Sequence, residues 1–319
     1  MIADSGGGSR SAASLAAWRE FLWGGLACGF GETIMHPVDT IKTRLQSGFG
    51  QNANLVQVSK TIGARDGIRG FYRGVFPGVT GSFVTGATYF GFIETTKDLL
   101  QEKRPNLPTP WALFFAGAAG DALGAVVYVP CEVIKQRMQV QGSRKAWETA
   151  KQQQIKAPVF QYYSGMFHAA RAIHAQEGTR GLYAGLLSTI VRDIPFAGLQ
   201  IVLYEAFRKT ALKVANGDLS CSQDFLLGGA AGGFSAFLTT PFDVVKTRMQ
   251  VQSTSARYTG WLDAITKIKE QEGIRGLFKG AGPRVMWWCP ASALTFMAVE
   301  KLRREFNDQG GLQILSQAA

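Results

Sequence analysis

The sequence predicts an all-α membrane protein: six transmembrane helices in three pseudo-symmetric two-helix repeats around a central cavity. Three observations carry that expectation. The pattern Pro-x-acid-x-x-Lys-x-Arg occurs three times in the 319 residues, at 37–44, 130–137 and 241–248. Each copy is followed by a block that opens on an acid-Gly pair and closes on Gly, at 66–74, 177–185 and 272–280. The composition is rich in apolar residues (46%) and glycine (38 residues) and poor in charge (18%). Small residues let helix backbones approach closely in lipid. A mean hydropathy of +0.02 fits helices with one face to lipid and the other to a watery cavity.

In chain order, residues 1–17 are small and Ser/Gly-rich, lack the apolar core of a secretory signal, and are expected to form a disordered tail. Repeat 1 spans 18–105, with apolar runs at 21–35 and 75–93 on either side of its two motifs. Repeat 2 spans 109–212, with runs at 112–129 and 186–203 and a polar, Lys/Gln-rich insertion at about 142–161 that reads as an exposed loop. Repeat 3 spans 222–306, with runs at 225–240 and 281–299, and 307–319 is a C-terminal tail. Each run suits a span of ~20 residues. Small-residue pairs stand at one offset before each motif proline (Gly25 and Gly29, Ala118 and Ala122, Gly229 and Gly233), natural sites for close helix contact. An even number of spans puts both termini on one side, and the loops after the proline motifs carry the basic residues by which such chains are oriented. A proline inside each odd helix removes a backbone hydrogen bond and bends it, so the three converge at one end.

The net charge of +11 raises a nucleic-acid reading, which the placement of the charges opposes: Lys and Arg recur at fixed repeat positions and form no arm or stripe. Cys28, Cys131, Cys221 and Cys289 lack metal-ligand or disulfide spacing and read as packed thiols. No nucleophile–base pair, phosphate loop or metal cluster appears, so an enzyme is not expected and neither is a cofactor. The Gly-rich stretch 228–233 lies in an apolar run and reads as packing.

Ionisable groups in spanning helices are costly, pair with one another and mark pathways. Asp39 and Lys42, Glu132 and Lys135, and Asp243 and Lys246 are each three apart and share a helix face. With threefold pseudo-symmetry, each acid reaches the base of a neighbouring repeat and a ring of ion pairs closes. A second tripled motif, Glu94 with Lys97, Glu205 with Arg208, and Glu300 with Arg303, lies on the even helices and makes a second ring at the opposite mouth. Two gates around one cavity imply alternating access.

The tripled motifs resemble those of the mitochondrial carrier family over about residues 18–306. The resemblance implies a six-helix bundle in the mitochondrial inner membrane, with termini toward the cytosol, three short matrix helices, a small-molecule solute as partner, and function as a monomer. The plastid envelope is the alternative location, since some members occupy it. Asp39, Lys42, Glu132, Lys135, Asp243 and Lys246 match the family's matrix gate, with Gln136 as its glutamine brace. The six Glu-x-x-basic residues match its cytoplasmic gate, with Ile93 and Val299 where an aromatic is usual. Counting back from the gate acids, the substrate positions are Gly81-Ser82, Arg192-Asp193 and Trp287-Trp288. The basic-acidic middle pair is the family's pattern for amino-acid-like solutes: Arg192 binds a carboxylate in a fork and Asp193 accepts from an ammonium. Glu32 and Asp121 add carboxylates for a solute with extra positive charge, and the two tryptophans offer faces to a cation or purine.

Within the family, segments 37–46, 129–139 and 192–196 and Gly81-Ser82-Phe83 resemble the S-adenosylmethionine carriers, whose implied exchange partner is S-adenosylhomocysteine. The alternative is an iron or other metal carrier of the mitoferrin type, with Glu32, Met35 and His36 close together on the first helix. The other two histidines, His168 and His174, fall in the matrix-loop region.

Overall fold

The computed structural model describes residues 7–48, 54–85, 109–141, 144, 148, 162–215, 220–252, 258–288 and 290. In repeat 1 these form α1 (Gly7–Gln46), α2 (Leu55–Asp66), α3 (Ile68–Phe71) and α4 (75–85). Repeat 2 contributes α5 (Thr109–Gln141), α6 (Met166–Leu182) and α7 (Leu186–Ala215). Repeat 3 contributes α8 (Cys221–Leu238), α9 (Thr240–Val251), α10 (Trp261–Leu277) and α11 (281–288). No strand occurs among the described residues. Among them, the segment 186–213 alone is long and apolar enough to cross a membrane, and α8 with α9 passes as one bent span. Of the apolar runs expected at 75–93 and 281–299, residues 86–93, 289 and 291–299 lie outside the described residues.

The three acid-Gly blocks all bend the chain in the same way. Gly67, Gly178 and Gly273 have φ of 64°, 67° and 68°, in the left-handed region that costs a Cβ-bearing residue energy. Each therefore ends one short helix and starts another turn at a fixed angle. Apolar packing is concentrated here, where a short helix lies on the motif end of its odd helix. Val129, Val133 and Ile134 pack with Tyr163, Ala169 and Ile173. Val244 and Val245 pack with Tyr258, Ala264 and Ile268 in repeat 3, and Leu45 with Val58 and Ile62 in repeat 1. Away from these clusters, large apolar side chains face outward. Leu26, Phe30 and Ile34 form a one-turn-spaced stripe on α1, each more than 40% exposed, suited to lipid.

The motif prolines do not act alike. α1 and α5 remain helical through Pro37 and Pro130, whereas repeat 3 breaks at Thr239 with a bend of 63° before Pro241. Side-chain hydroxyls accompany the break. Thr239 Oγ1 donates to the Ser235 carbonyl at 2.7 Å, which the Thr239 N–H also reaches at 3.0 Å. Thr240 Oγ1 donates to that of Ala236 at 2.8 Å, and local bonds of this kind bend helices. Met35-His36 and Tyr128-Val129 hold those places in the other repeats.

The expected close contact of α1 with the first even helix is present. A Cβ on Gly25 would lie 2.6 Å from the Phe83 ring and one on Gly29 3.2 Å from Val79. Gly25→Ala is therefore expected to destabilise the purified protein by about 1–3 kcal/mol through overpacking. Gly63→Ala, in α2 with nothing near the new methyl, should be neutral or stabilising by up to about 1 kcal/mol. Thermal unfolding in detergent reads both, and an unchanged melting temperature for Gly25→Ala would contradict the contact.

Candidate functional site

At the end of the bundle where the short helices sit, the three lysines and three acids close a ring between repeats. Lys135 Nζ lies 2.7 Å from Asp39 of repeat 1, Lys246 Nζ 2.6 Å from Glu132 of repeat 2, and Lys42 Nζ 2.9 Å from Asp243 of repeat 3. The i, i+3 spacing aims acid and base inward on one face, and the convergence of the odd helices brings each base to another repeat's acid. Every charge in the ring is paired, which a buried charge requires.

Each pair is braced by a glutamine, though not the expected one. Gln139 donates to Asp39 at 3.1 Å, Gln250 to Glu132 at 3.2 Å and Gln46 to Asp243 at 2.9 Å. Gln136 does not take this part: it is buried, and its Oε1 has no hydrogen-bond partner. Helical phase is the reason. Gln136 is rotated about 100° from its neighbour Lys135, whereas Gln139, four residues on, returns to the lysine's face. The three bracing glutamines all stand nine residues after a motif proline, a repeat legible in the sequence once the phase is counted.

Outside the ring, the motif arginines tie it to the short helices. Arg137 forks onto Glu177 at 2.6 and 2.9 Å, Arg248 onto Glu272 at the same distances, and Arg44 reaches Asp66 at 2.7 Å. Each arginine also donates its Nε to the backbone of a bracing glutamine in another repeat: Arg44 to Gln139, Arg137 to Gln250 and Arg248 to Gln46, at 2.8–3.0 Å. Lys279 adds a contact of 2.7 Å to Glu272. Partial burial alone would raise the Glu272 pKa, but the hydrogen bonds from Arg248 and Lys279 outweigh it and hold the carboxyl at about 2.

Above the ring lies a cavity of about 690 Å³. Gly81, Ser82, Arg192, Asp193, Trp287 and Trp288 line it, as does Glu32. The Asp121 side chain lies outside the described residues, as do Glu94, Lys97, Glu300 and Arg303. Glu205 and Arg208 stand exposed on α7, with Lys209 Nζ 3.8 Å from Glu205. Glu32, which lines the cavity, is also held from the protein side: Lys135 donates to it at 2.6 Å and His36 Nδ1 lies 3.2 Å away. The Arg192 fork is engaged too. Its Nε and a terminal nitrogen reach Asp193 at 2.6 and 2.5 Å, and its other terminal nitrogen reaches Asp243 at 2.9 Å. Asp193 also accepts from Tyr128 Oη at 2.8 Å. Trp288 stacks on Phe196 with centroids 4.6 Å apart, so that face is covered, and Trp287 meets Trp288 edge-on at 5.8 Å.

Tyr128 and Arg284 also line the cavity and were not anticipated from the sequence. Tyr128 carried no motif. Arg284 stands one turn before Trp288, and a buried arginine in an apolar run is a signal in itself; it lies 3.1 Å from Asp243 and donates to Thr239 Oγ1 at 2.9 Å. The donor atoms of Glu32, His36 and Asp39 lie within 4.8 Å of one another, close enough for a metal ion. Met35 is buried beside them, and His168 and His174 are exposed on α6.

A family model described as mitochondrial carrier protein matches residues 13–104, 106–214 and 217–310. The chain belongs to the mitochondrial carrier family. The carrier is 35% identical over 284 residues to an Arabidopsis thaliana protein named S-adenosylmethionine carrier 1, chloroplastic/mitochondrial, covering 89% of this chain and 78% of that one. It is also 35% identical over 273 residues to the mitochondrial S-adenosylmethionine carrier protein of Xenopus tropicalis (84% and 90% covered). The protein MITOFERRINLIKE 1, chloroplastic, of Arabidopsis thaliana is 35% identical over 292 residues, with 88% and 66% covered.

The Glu272 arrangement predicts an acid-sensitive clamp. A carboxyl depressed in the folded state stabilises it above its ordinary value of 4.5 and loses that contribution as pH falls toward about 2. Glu272→Gln should therefore flatten the dependence of melting temperature on pH between those limits. An acid limb identical to wild type would argue against the clamp.

Proposed function

We propose that this carrier exchanges S-adenosylmethionine for S-adenosylhomocysteine across the mitochondrial inner membrane by alternating access. The observation that carries the reading is the Arg192–Asp193 pair facing the cavity, a donor fork beside a carboxylate, the complement of an α-amino acid head group. Relatives named as S-adenosylmethionine carriers agree with it. The cavity volume falls within the ~300–1,000 Å³ usual for small-molecule sites. Trp287 and the Phe196–Trp288 stack supply apolar surface for the adenine and the sulfonium. Asp121, eleven residues or about three turns before Glu132 in sequence, is the further carboxylate assigned to the solute's excess positive charge.

The ring of Asp39, Lys42, Glu132, Lys135, Asp243 and Lys246 is the matrix gate, with Gln46, Gln139 and Gln250 as its braces. Glu94, Lys97, Glu205, Arg208, Glu300 and Arg303 form the cytoplasmic gate. The monomer is taken as the transporting unit, with lipid against the outward apolar stripe of α1. In a plant-like setting the plastid envelope replaces the inner mitochondrial membrane, in line with the chloroplastic relatives.

A metal-carrier reading rests on the Glu32–His36–Asp39 group and the mitoferrin-like relative. Against it, the Lys135 ammonium already bridges Glu32 and Asp39 at 2.6 and 2.7 Å, so a metal ion entering that group must displace a tethered cation.

Uptake of labelled S-adenosylmethionine into liposomes holding the purified carrier tests the proposal. Saturable uptake is expected, faster with internal S-adenosylmethionine or S-adenosylhomocysteine than with empty vesicles. Asp193→Asn should lower it by at least about tenfold, the size of losing one charged hydrogen bond at the site, while folded yield changes little. Ferrous iron uptake by a folded carrier that ignores S-adenosylmethionine would install the metal reading instead.

A further inference from the structure

The ring acids are chemically equivalent in sequence but not in surroundings. Asp39 and Glu132 each meet a lysine and a glutamine from the ring set. Asp243 meets Lys42 and Gln46 and, in addition, two guanidiniums from even helices: Arg192 at 2.9 Å on Oδ1 and Arg284 at 3.1 Å on Oδ2. Arg192 is at the same time the cation of the cavity pair with Asp193. One side chain thus belongs to both the binding site and the gate.

Resting on the substrate reading above, we infer that Arg192 is a latch on the matrix gate which only the carboxylate of an amino-acid head group releases. The exchange of partners works as follows. An incoming α-ammonium takes Asp193, which frees the Nε side of Arg192. An incoming α-carboxylate then takes the Arg192 fork and draws it off Asp243, leaving that gate acid to Lys42 and Arg284. Every charge keeps a partner throughout, which a low-dielectric site demands. A solute with the ammonium but no carboxylate does the reverse. It removes Asp193 from Arg192 and leaves the guanidinium to Asp243 alone, so the solute binds and the gate stays shut.

The test uses S-adenosylmethionine and its decarboxylated analogue, which keeps the sulfonium, the amine and the adenine. With wild-type carrier in liposomes, the analogue is expected to inhibit S-adenosylmethionine exchange yet be carried at least about tenfold more slowly, within the range of ordinary couplings between two sites. In Asp243→Asn, where the latch has no carboxylate to hold, that discrimination should collapse. Equal carriage of the two by wild type, failure of the analogue to inhibit, or undiminished discrimination in Asp243→Asn overturns the latch. Where Asp243→Asn transports nothing, Arg192→Lys answers the same question, because an ammonium cannot bridge Asp193 and Asp243 as the fork does. Absence of S-adenosylmethionine uptake by folded wild type defeats the substrate reading and not the latch, which is then read with arginine and its decarboxylated amine. Independently of any solute, Asp243→Asn should lower the melting temperature more than Asp39→Asn, since only the former removes a carboxylate shared by a lysine and two guanidiniums. Equal losses overturn the inference.

Discussion

Charge buried at the converging end of the bundle has to be paired, and that requirement organises everything around it. Each odd helix brings one acid and one lysine to the inner face, so the ring closes with none left over. Pairing across repeats makes the ring a bond between three bodies, where pairing within one helix would make three local contacts. Replacing ionic pairs by apolar residues often costs nothing in stability, so a buried ring says little about stability and more about the need to open and close one arrangement. Around it, the arginine–acid forks bind each short helix to its own odd helix and move with the repeat. The single bond from each arginine Nε to another repeat's glutamine carbonyl crosses a repeat boundary, as the lysine pair does.

Threefold repetition suits a gate, but a solute with a carboxylate, an ammonium and a ring system has no threefold axis. The structure departs from symmetry where such a solute has to be read. The proposed substrate positions, all lining the cavity, hold Gly81-Ser82, Arg192-Asp193 and Trp287-Trp288, one small, one charged and one aromatic. The same asymmetry extends into the ion-pair ring through Asp243 and into the backbone at Thr239, where Arg284 donates to the residue at which the third odd helix breaks. Repeat 3 is thus the part of the fold at which cavity, ion-pair ring and helix break share residues.

The architecture and the ring were legible because both rest on spacing. Proline, acid and lysine at fixed intervals put the right groups on the right face, and repetition supplied the partners. The forks between Arg137 and Glu177 or Arg248 and Glu272 join the two tripled blocks, yet nothing in one repeat's spacing states that a residue after the proline meets an acid a short helix later. The brace was misplaced by three residues, from Gln139 to Gln136, because adjacency in sequence is a poor guide on a helix where three or four positions make a neighbour. Glu32 was legible as a cavity carboxylate, but its capture by Lys135 depends on the distance between α1 and α5, which one sequence does not encode locally. Tyr128 and Arg284 were missed for the same reason: their roles are partners in space, and only the cost of an arginine in an apolar run hinted at the second.

The balance of charge in the cavity limits what can select the solute. Among the described residues five acids, Glu32, Asp39, Glu132, Asp193 and Asp243, and four bases, Lys42, Lys135, Arg192 and Arg284, line the cavity, and Lys246, behind the lining, neutralises Glu132 at 2.6 Å. Such a set exerts little net Coulomb pull on a cation, whatever its individual contacts. A solute with one excess positive charge is then distinguished by how its groups replace partners already in place, and an ion that offers only charge gains least. Lys135 makes the point locally: tethered on α5, it supplies Glu32 and Asp39 with a cation at an effective concentration of the order of mM or above, which a free ion at lower concentration must outcompete. Selectivity in such a site comes from matching a pattern of donors and acceptors, and a zwitterionic head group matches the Arg192–Asp193 pattern at both of its charges.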